Sequence, residues 1–259
     1  MISRIPEHYI PAANLLRDRI ILVTGAGDGI GRAAAISFAK HGATVILLGK
    51  TIAKLEAVYD EIENTIATDG TKCSQPAIYP LKLGGAAMQD YETMHDALAN
   101  EFGRLDGLLH NASILGQRKS ILDTSVSDWN DVLNVNLTAQ FMLTKALLPL
   151  LQKSEDASLL FTSSGVGRKG RAFWGAYAVS KFGTEALAQI LADELDTTSN
   201  IRVNCINPGA TNTAMRRIAY PAEHPAANPL PEQIMPAYLY LIGGDSNGVR
   251  GQSFDAQIR

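Results

Sequence analysis

Tyr177 and Lys181 stand four residues apart in a stretch whose apolar spacing predicts a helix over 174–195, so their side chains share one face. A free phenol titrates near ~10 and is a poor base at neutral pH. An ammonium beside it favours the phenolate, and the pair becomes a means of exchanging a proton with a substrate oxygen. Taken alone, the same pair also describes a solvated helix face with an aromatic anchor. Ser164 lies thirteen residues before Tyr177, just past the apolar run Ser158–Thr162. Its hydroxyl either donates to charge developing on a reacting oxygen or caps backbone at a strand end. Ser163 is the neighbouring alternative.

A second group of residues suits an anion. Thr24-Gly25-Ala26-Gly27-Asp28-Gly29-Ile30-Gly31 joins a β-branched run, Ile20–Thr24, to a helical pattern over 29–41. Glycines permit a tight turn, close backbone approach to a pyrophosphate and close helix–strand packing. The helix N-terminus then offers free N–H groups. Because the turn sits between a strand and a helix, it reads as the phosphate site of a dinucleotide, formed by Gly25, Gly27, Asp28, Gly29, Ile30 and Gly31.

The elements that must position these groups alternate. Strands are predicted at 20–24, 44–48, 77–81, 105–110, 158–162, 201–206 and 252–255. Helices are predicted at 29–41, 51–68, 87–102, 126–152, 174–195 and 231–243. The strands are apolar runs rather than alternations, as parallel strands buried on both faces require. The expected fold is therefore α/β: a single-domain, Rossmann-type, doubly wound parallel sheet of about seven strands with helices on both faces, spanning 1–259. Ligands of such sheets sit beyond the carboxyl ends of the strands. Residues 1–18 read as an N-terminal arm. The segment 210–231, with Pro221, Pro225, Pro229 and Pro231, is too proline-rich for one helix and reads as either a substrate lid or an inert connection.

The chain has 259 residues, 46% of them apolar, which suffices for one sizeable core. A formal net charge of −3 gives no whole-protein attraction for nucleic acid or an anionic membrane, so neither is an expected partner. No apolar run reaches the roughly 18–20 residues that span a bilayer. The first residues lack the apolar stretch of a secretory signal. Cys73 and Cys205 have no metal spacing and read as structural thiols; no metal site is expected. The expected location is the cytoplasm.

The stretches TGAGDGIG, HNAS, NVNL, FTSS, YAVSK and NPGATNT together resemble the short-chain dehydrogenase/reductase family over nearly the whole chain. RIILVTGA, TVILLGK, FTSSGVGRKGRAFWGAYAVSKF and RVNCINPG are similar to its bacterial YciK-type subgroup, whose members are described only as oxidoreductases. The resemblance implies hydride transfer between a nicotinamide and a small-molecule carbonyl or alcohol. It implies a catalytic tetrad: Ser164 on the reacting oxygen, Tyr177 as acid/base, Lys181 beside it, and Asn136 holding a water that links Lys181 to solvent. It implies cofactor contacts at Asn111, Ala112, Tyr177, Lys181, Pro208, Gly209, Thr211 and Thr213, and a homo-oligomer, dimer or tetramer.

Members that prefer NAD carry an acid after the second predicted strand, where this chain has Gly49, Lys50 and Thr51. The resemblance therefore implies NADP(H), with Lys50 available to a 2′-phosphate and NAD(H) still possible. Asp28 stands where some NADP-preferring members are basic. Lys82 replaces an Asp that accepts from adenine, and an ammonium cannot accept. Ser113 replaces a Gly, and a positive φ would cost it more. Phe254-Asp255-Ala256-Gln257 replaces the usual Asp-Gly-Gly ending. His110 reads as a packed histidine. Arg168, Lys169 and Arg171 form a basic cluster that either attracts an anionic substrate, such as a phosphate-bearing acyl carrier, or is a solvated loop or subunit contact. The altered Lys82 and Ser113 motivate an alternative, a catalytically silent dinucleotide-binding sensor or scaffold. A lyase or epimerase is a third reading, disfavoured by the little chain left after Pro208 for a nucleotide-sugar pocket.

Overall fold

Apolar runs without alternation become central parallel strands, as expected. The structure is a computed structural model that describes residues 2–69 and 75–257; Cys73 lies outside them. Among the described residues the strands are β1 Ile2–Arg4, β2 Ile20–Thr24, β3 Thr44–Gly49, β4 Ala77–Pro80, β5 Gly107–His110, β6 Ser158–Thr162, β7 Arg202–Asn207 and β8 Ser253–Asp255. All pair in parallel in the order β1-β8-β7-β6-β5-β2-β3-β4. The seven strands expected are present. The eighth, β1, comes from the N-terminal arm, where Ile2, Ser3 and Arg4 pair with Ser253, Phe254 and Asp255. A three-residue edge strand needs no apolar run, which is why the arm showed no strand signal.

The helices are α1 Gly29–Lys40, α2 Ile52–Asp69, α3 Met88–Phe102, α4 Val126–Leu133, α5 Ala139–Leu151, α6 Gly175–Leu195, α7 Ala214–Ala219 and α8 Met235–Ile242. Successive strand residues face opposite layers. Ile21 and Val23 of β2 pack with Phe38 of α1, Leu55 of α2 and Tyr238 of α8. Leu22 between them packs with Met94 of α3, Leu143 of α5 and Ala188 of α6. Strand order reverses between β2 and β5, and there the loops leaving the two strands part to open a crevice.

Two expected helices are divided. The stretch 126–152 is broken by a π-helical turn, Asn134–Thr138, between α4 and α5. Such turns recur at functional sites because they leave backbone groups off the regular ladder. The stretch 231–243 begins as a 3-10 turn, Pro231–Ile234, before α8. The proline-rich segment carries α7, capped by the Thr213 side chain, and then a short 3-10 turn at Pro225–Ala227. No helix among the described residues is long and apolar enough to cross a membrane.

Candidate active site

One cleft at the carboxyl edge of the sheet collects every residue assigned from the sequence except Gly31 and Asn136. Gly31 lies beneath it. A Cβ there would sit 2.2 Å from the Gly25 carbonyl oxygen and 2.6 Å from Asn111 Nδ2, so only glycine lets α1 approach the turn. Gly25 has φ 68°, and a Cβ on it would press on Ala112. Asp28 caps α1, its Oδ1 accepting from Gly29 N at 2.8 Å, and its Oδ2 accepts from Lys54 Nζ at 2.5 Å. The Lys54 ammonium holds this carboxyl below the ordinary carboxylate range. The acid that argued against a 2′-phosphate is thus already paired, while Lys50 is exposed in the same cleft. A side-chain-free turn, a twelve-residue helix aimed at it and a lysine past β3 fit a phosphorylated dinucleotide.

Thr24 opens the glycine stretch at the end of β2. Its buried hydroxyl accepts from Asn111 N and Ala112 N, both at 2.9 Å, and donates to Leu109 O at 3.2 Å. It clasps the ends of β2 and β5 at the crevice. Ser113 needs no positive φ: among the described residues only His8, Asp18 and Phe173 combine a side chain with one. Lys82 lines the cleft just past β4.

Asn136 is fully buried in the π-helical turn. Its Oδ1 accepts from Ile114 N at 2.8 Å, and its Nδ2 donates to Ile114 O at 2.9 Å and Ser180 Oγ at 3.1 Å. The amide therefore anchors the loop after β5 to α6. Thr184 Oγ1 lies 3.5 Å from its backbone carbonyl oxygen.

Ser164, Tyr177 and Lys181 meet over the end of β6. Lys181 is buried and donates from Nζ to Thr162 O at 2.7 Å. Nζ lies 5.7 Å from the Tyr177 ring centroid. Burial pushes the lysine down to about 8. The phenol does not follow the expected lowering. Burial pushes Tyr177 up to about 12, and hydrogen bonding from Ser164 only partly opposes this. Burial thus favours the protonated phenol. Ser163 is the other hydroxyl at this point; its Oγ is buried without a hydrogen-bond partner among the described residues. His110 is packed as expected, stacked on Phe161 with Nε2 2.8 Å from Thr144 Oγ1, and burial pushes it down to about 3.

The basic cluster divides. Arg168 turns inward, its Nη1 donating to Asp255 Oδ1 at 2.7 Å and its Nε to Glu185 Oε1 at 3.3 Å. Its Nη2 also donates to Ser253 Oγ and Phe254 O. It is thus removed from any substrate-attracting patch: its charge is spent tying the loop after Ser164 to β8 and α6. Lys169 and Arg171 stay exposed.

Sequence reasoning missed three side chains here. Gln257 Nε2 donates to Pro208 O at 2.7 Å and Ala210 O at 2.8 Å, so the altered C-terminal segment clamps the loop after β7. Trp174 sits one turn before Tyr177 with ring centroids 5.7 Å apart, a spacing visible in the sequence once Tyr177 is chosen. Tyr220, just after α7, reaches within 6.0 Å of Trp174 and carried no sequence signal.

A doubly wound parallel sheet with this glycine turn and this Ser–Tyr–Lys cluster defines a class. The family model for short chain dehydrogenases matches residues 19–223, and the chain belongs to that family. It is 50% identical to the Escherichia coli oxidoreductase YciK over 250 residues, 96% of each protein. It is similar to a solved short chain dehydrogenase from Salmonella enterica serovar Typhi, with 50% identity, a TM-score of 0.92, and 96% and 100% of the two chains covered. A candidate short chain dehydrogenase of Escherichia coli, solved in complex with NADPH, matches with 51% identity and a TM-score of 0.91, covering 96% and 100%.

Proposed function

We propose that the protein is an NADP(H)-dependent oxidoreductase that moves a hydride between the nicotinamide and a carbonyl or alcohol, with Tyr177 as acid/base. The observation that carries this reading is a buried phenol gathered with a buried lysine and a serine hydroxyl, at the open end of a cleft with a glycine turn. NADP(H), when bound, supplies or accepts the hydride. The glycine turn and α1 hold its pyrophosphate, and Lys50 its 2′-phosphate. Asn111, Ala112 and Thr211 would contact the cofactor, and Pro208, Gly209 and Thr213 would contact its nicotinamide carboxamide. Ser164 donates to the substrate oxygen and stabilises charge there. Tyr177 gives that oxygen its proton in reduction and takes it back in oxidation. Lys181 orients the site, and Asn136 fixes the loop after β5 and holds a water on the proton path.

The NADPH bound by the Escherichia coli relative supports the cofactor assignment. Residues 210–231 act as the substrate lid of a single domain, 1–259. We also assign a homo-oligomer in the cytoplasm; Phe141 on α5 and Val179, Phe182 and Ile190 on α6, all exposed, support a helix-to-helix interface. Fluorescence titration with NADPH and NADH tests the reading. Tighter NADPH binding, reduced by Lys50→Ala with NADH unaffected, is expected; binding of neither nucleotide overturns it.

A further inference from the structure

A guanidinium without a carboxylate stands at the rim of the cleft, beside Trp174. Arg118 belongs to the loop after β5, which Asn136 fixes at Ile114. The side chain is exposed, and its guanidinium lies 4.7 Å from the Trp174 ring centroid and 5.0 Å from that of Tyr220. Its Nη1 donates to Ala219 O at the end of α7. Trp174 and Ala219 both line the cleft. Two rings and one carbonyl, from the approach to α6 and from the lid segment, thus hold the guanidinium in place. Among the described residues no carboxylate pairs with it, and no group bonds to its Nε or Nη2. Those two groups form the edge of the fork that meets a carboxylate with two parallel hydrogen bonds.

Its neighbours do not cancel the charge. Arg216 lies 3.8 Å from the same Tyr220 ring centroid, but Glu223 accepts from its Nε and Nη2, both at 2.6 Å. Asn228 Nδ2 also donates to Glu223, at 2.8 Å. Of the acids lining the cleft, Asp28 is paired with Lys54, and Asp131 stands one turn before Val135, which abuts Gly84 beyond β4. Lys181 keeps its ammonium while donating to Thr162 O, and so adds positive potential near the reacting oxygen. A single free fork suits a single negative charge, whereas a phosphate dianion calls for further cations. Trp174 stands between the fork and the phenol, its ring centroid 5.7 Å from that of Tyr177. An anion held by Arg118 is therefore one indole away from the group that delivers the proton, a span that a benzene ring bridges. The fork is already fixed by its two rings, so little side-chain order is lost when it binds.

We propose that the natural substrate is a ketone or aldehyde, or the matching alcohol, that bears a carboxylate, and that Arg118 binds this carboxylate through Nε and Nη2. This rests on the hydride-transfer reading above. The test uses the whole protein with NADPH and three matched aldehydes: para-carboxybenzaldehyde, its methyl ester and benzaldehyde, comparing kcat/KM. The carboxylate is expected to exceed both neutral aldehydes by about tenfold or more. Arg118→Met keeps an unbranched chain beside the rings but no charge, and should shrink the carboxylate-to-ester ratio by about 10–100-fold, mostly through KM. Arg118→Lys should shrink it less, because an ammonium keeps the charge and loses the fork. Equal or better turnover of either neutral aldehyde by the unmodified protein overturns the proposal. So does a ratio that Arg118→Met leaves unchanged, since a merely structural role for Arg118 would lower both substrates alike. Absence of turnover on all three, with NADPH bound, overturns the hydride-transfer reading instead and this proposal with it.

Discussion

Replacing Gln257 by Ala removes an amide that reaches three acceptors on one loop: Pro208 O at 2.7 Å, Ala210 O at 2.8 Å and Thr211 Oγ1 at 3.3 Å. The Nε2 group carries two protons, so two full bonds are the ceiling. Each is worth about 1 kcal/mol net, and water can replace part of that, because the loop is only half-buried. The loss is then about 1–2 kcal/mol of loop order. If that order is needed to receive the nicotinamide, the Kd for NADPH rises about 5–30-fold. Titration should be paired with 2′-phospho-ADP-ribose, which lacks only the nicotinamide and does not reach the loop. The account expects weaker NADPH binding with the fragment's affinity unchanged, and a fall in Tm of about 2–8 °C. Equal weakening of both ligands, or an unchanged Kd for NADPH, would refute the clamp.

Lys181, pushed down to about 8 by burial, loses its ammonium as pH rises through that value, whereas Tyr177 keeps its proton to about 12. Turnover that needs the ammonium should therefore fall above about pH 8; a flat kcat profile to pH 10 would contradict this assignment. By the same linkage the folded state binds fewer protons than the unfolded chain between about 8 and the free-lysine value of about 10.5, so Lys181 adds stability as pH rises across that window and removes it as pH falls. Arg168→Met removes the cation shared by Glu185 and Asp255, leaving them Ser253 Oγ and Asn207 Nδ2, and should lower Tm, with Arg168→Lys restoring only part because an ammonium cannot reproduce the fork. Phe182→Glu places a charge on the exposed apolar stripe of α6 and should shift the assembly toward monomer on size-exclusion chromatography, with the far-UV spectrum unchanged.

Elements that announce themselves by local pattern were legible in the sequence, and contacts between distant residues were not. β2, β3 and β6 are apolar runs because both faces of each are covered, whereas β7 alternates, its Arg202 and Asn204 buried with polar partners; the glycine turn is visible because Gly25 and Gly31 have no tolerated alternative. The break at Asn134–Thr138 left a single mark, an Asn mid-helix, since apolar spacing continues across it. β1 had no local mark, because pairing with β8 across nearly the whole chain creates it. Arg168 was misjudged for the same reason: its partners Glu185 and Asp255 come from remote elements, and charge in a loop looks solvated until they are seen. Trp174 is close to Tyr177 in sequence, but its role depends on Arg118 and Tyr220, brought in by two separate loops.

The most direct measurement is steady-state reduction of benzaldehyde by NADPH with Tyr177→Phe, alongside NADPH titration of the same variant. The account predicts a loss of kcat of about 10²–10⁴-fold, the usual weight of a positioned general acid, with the Kd for NADPH within about threefold of the unmodified protein. Retention of more than about a tenth of kcat would show that the proton comes from another group and would contradict the account at its centre.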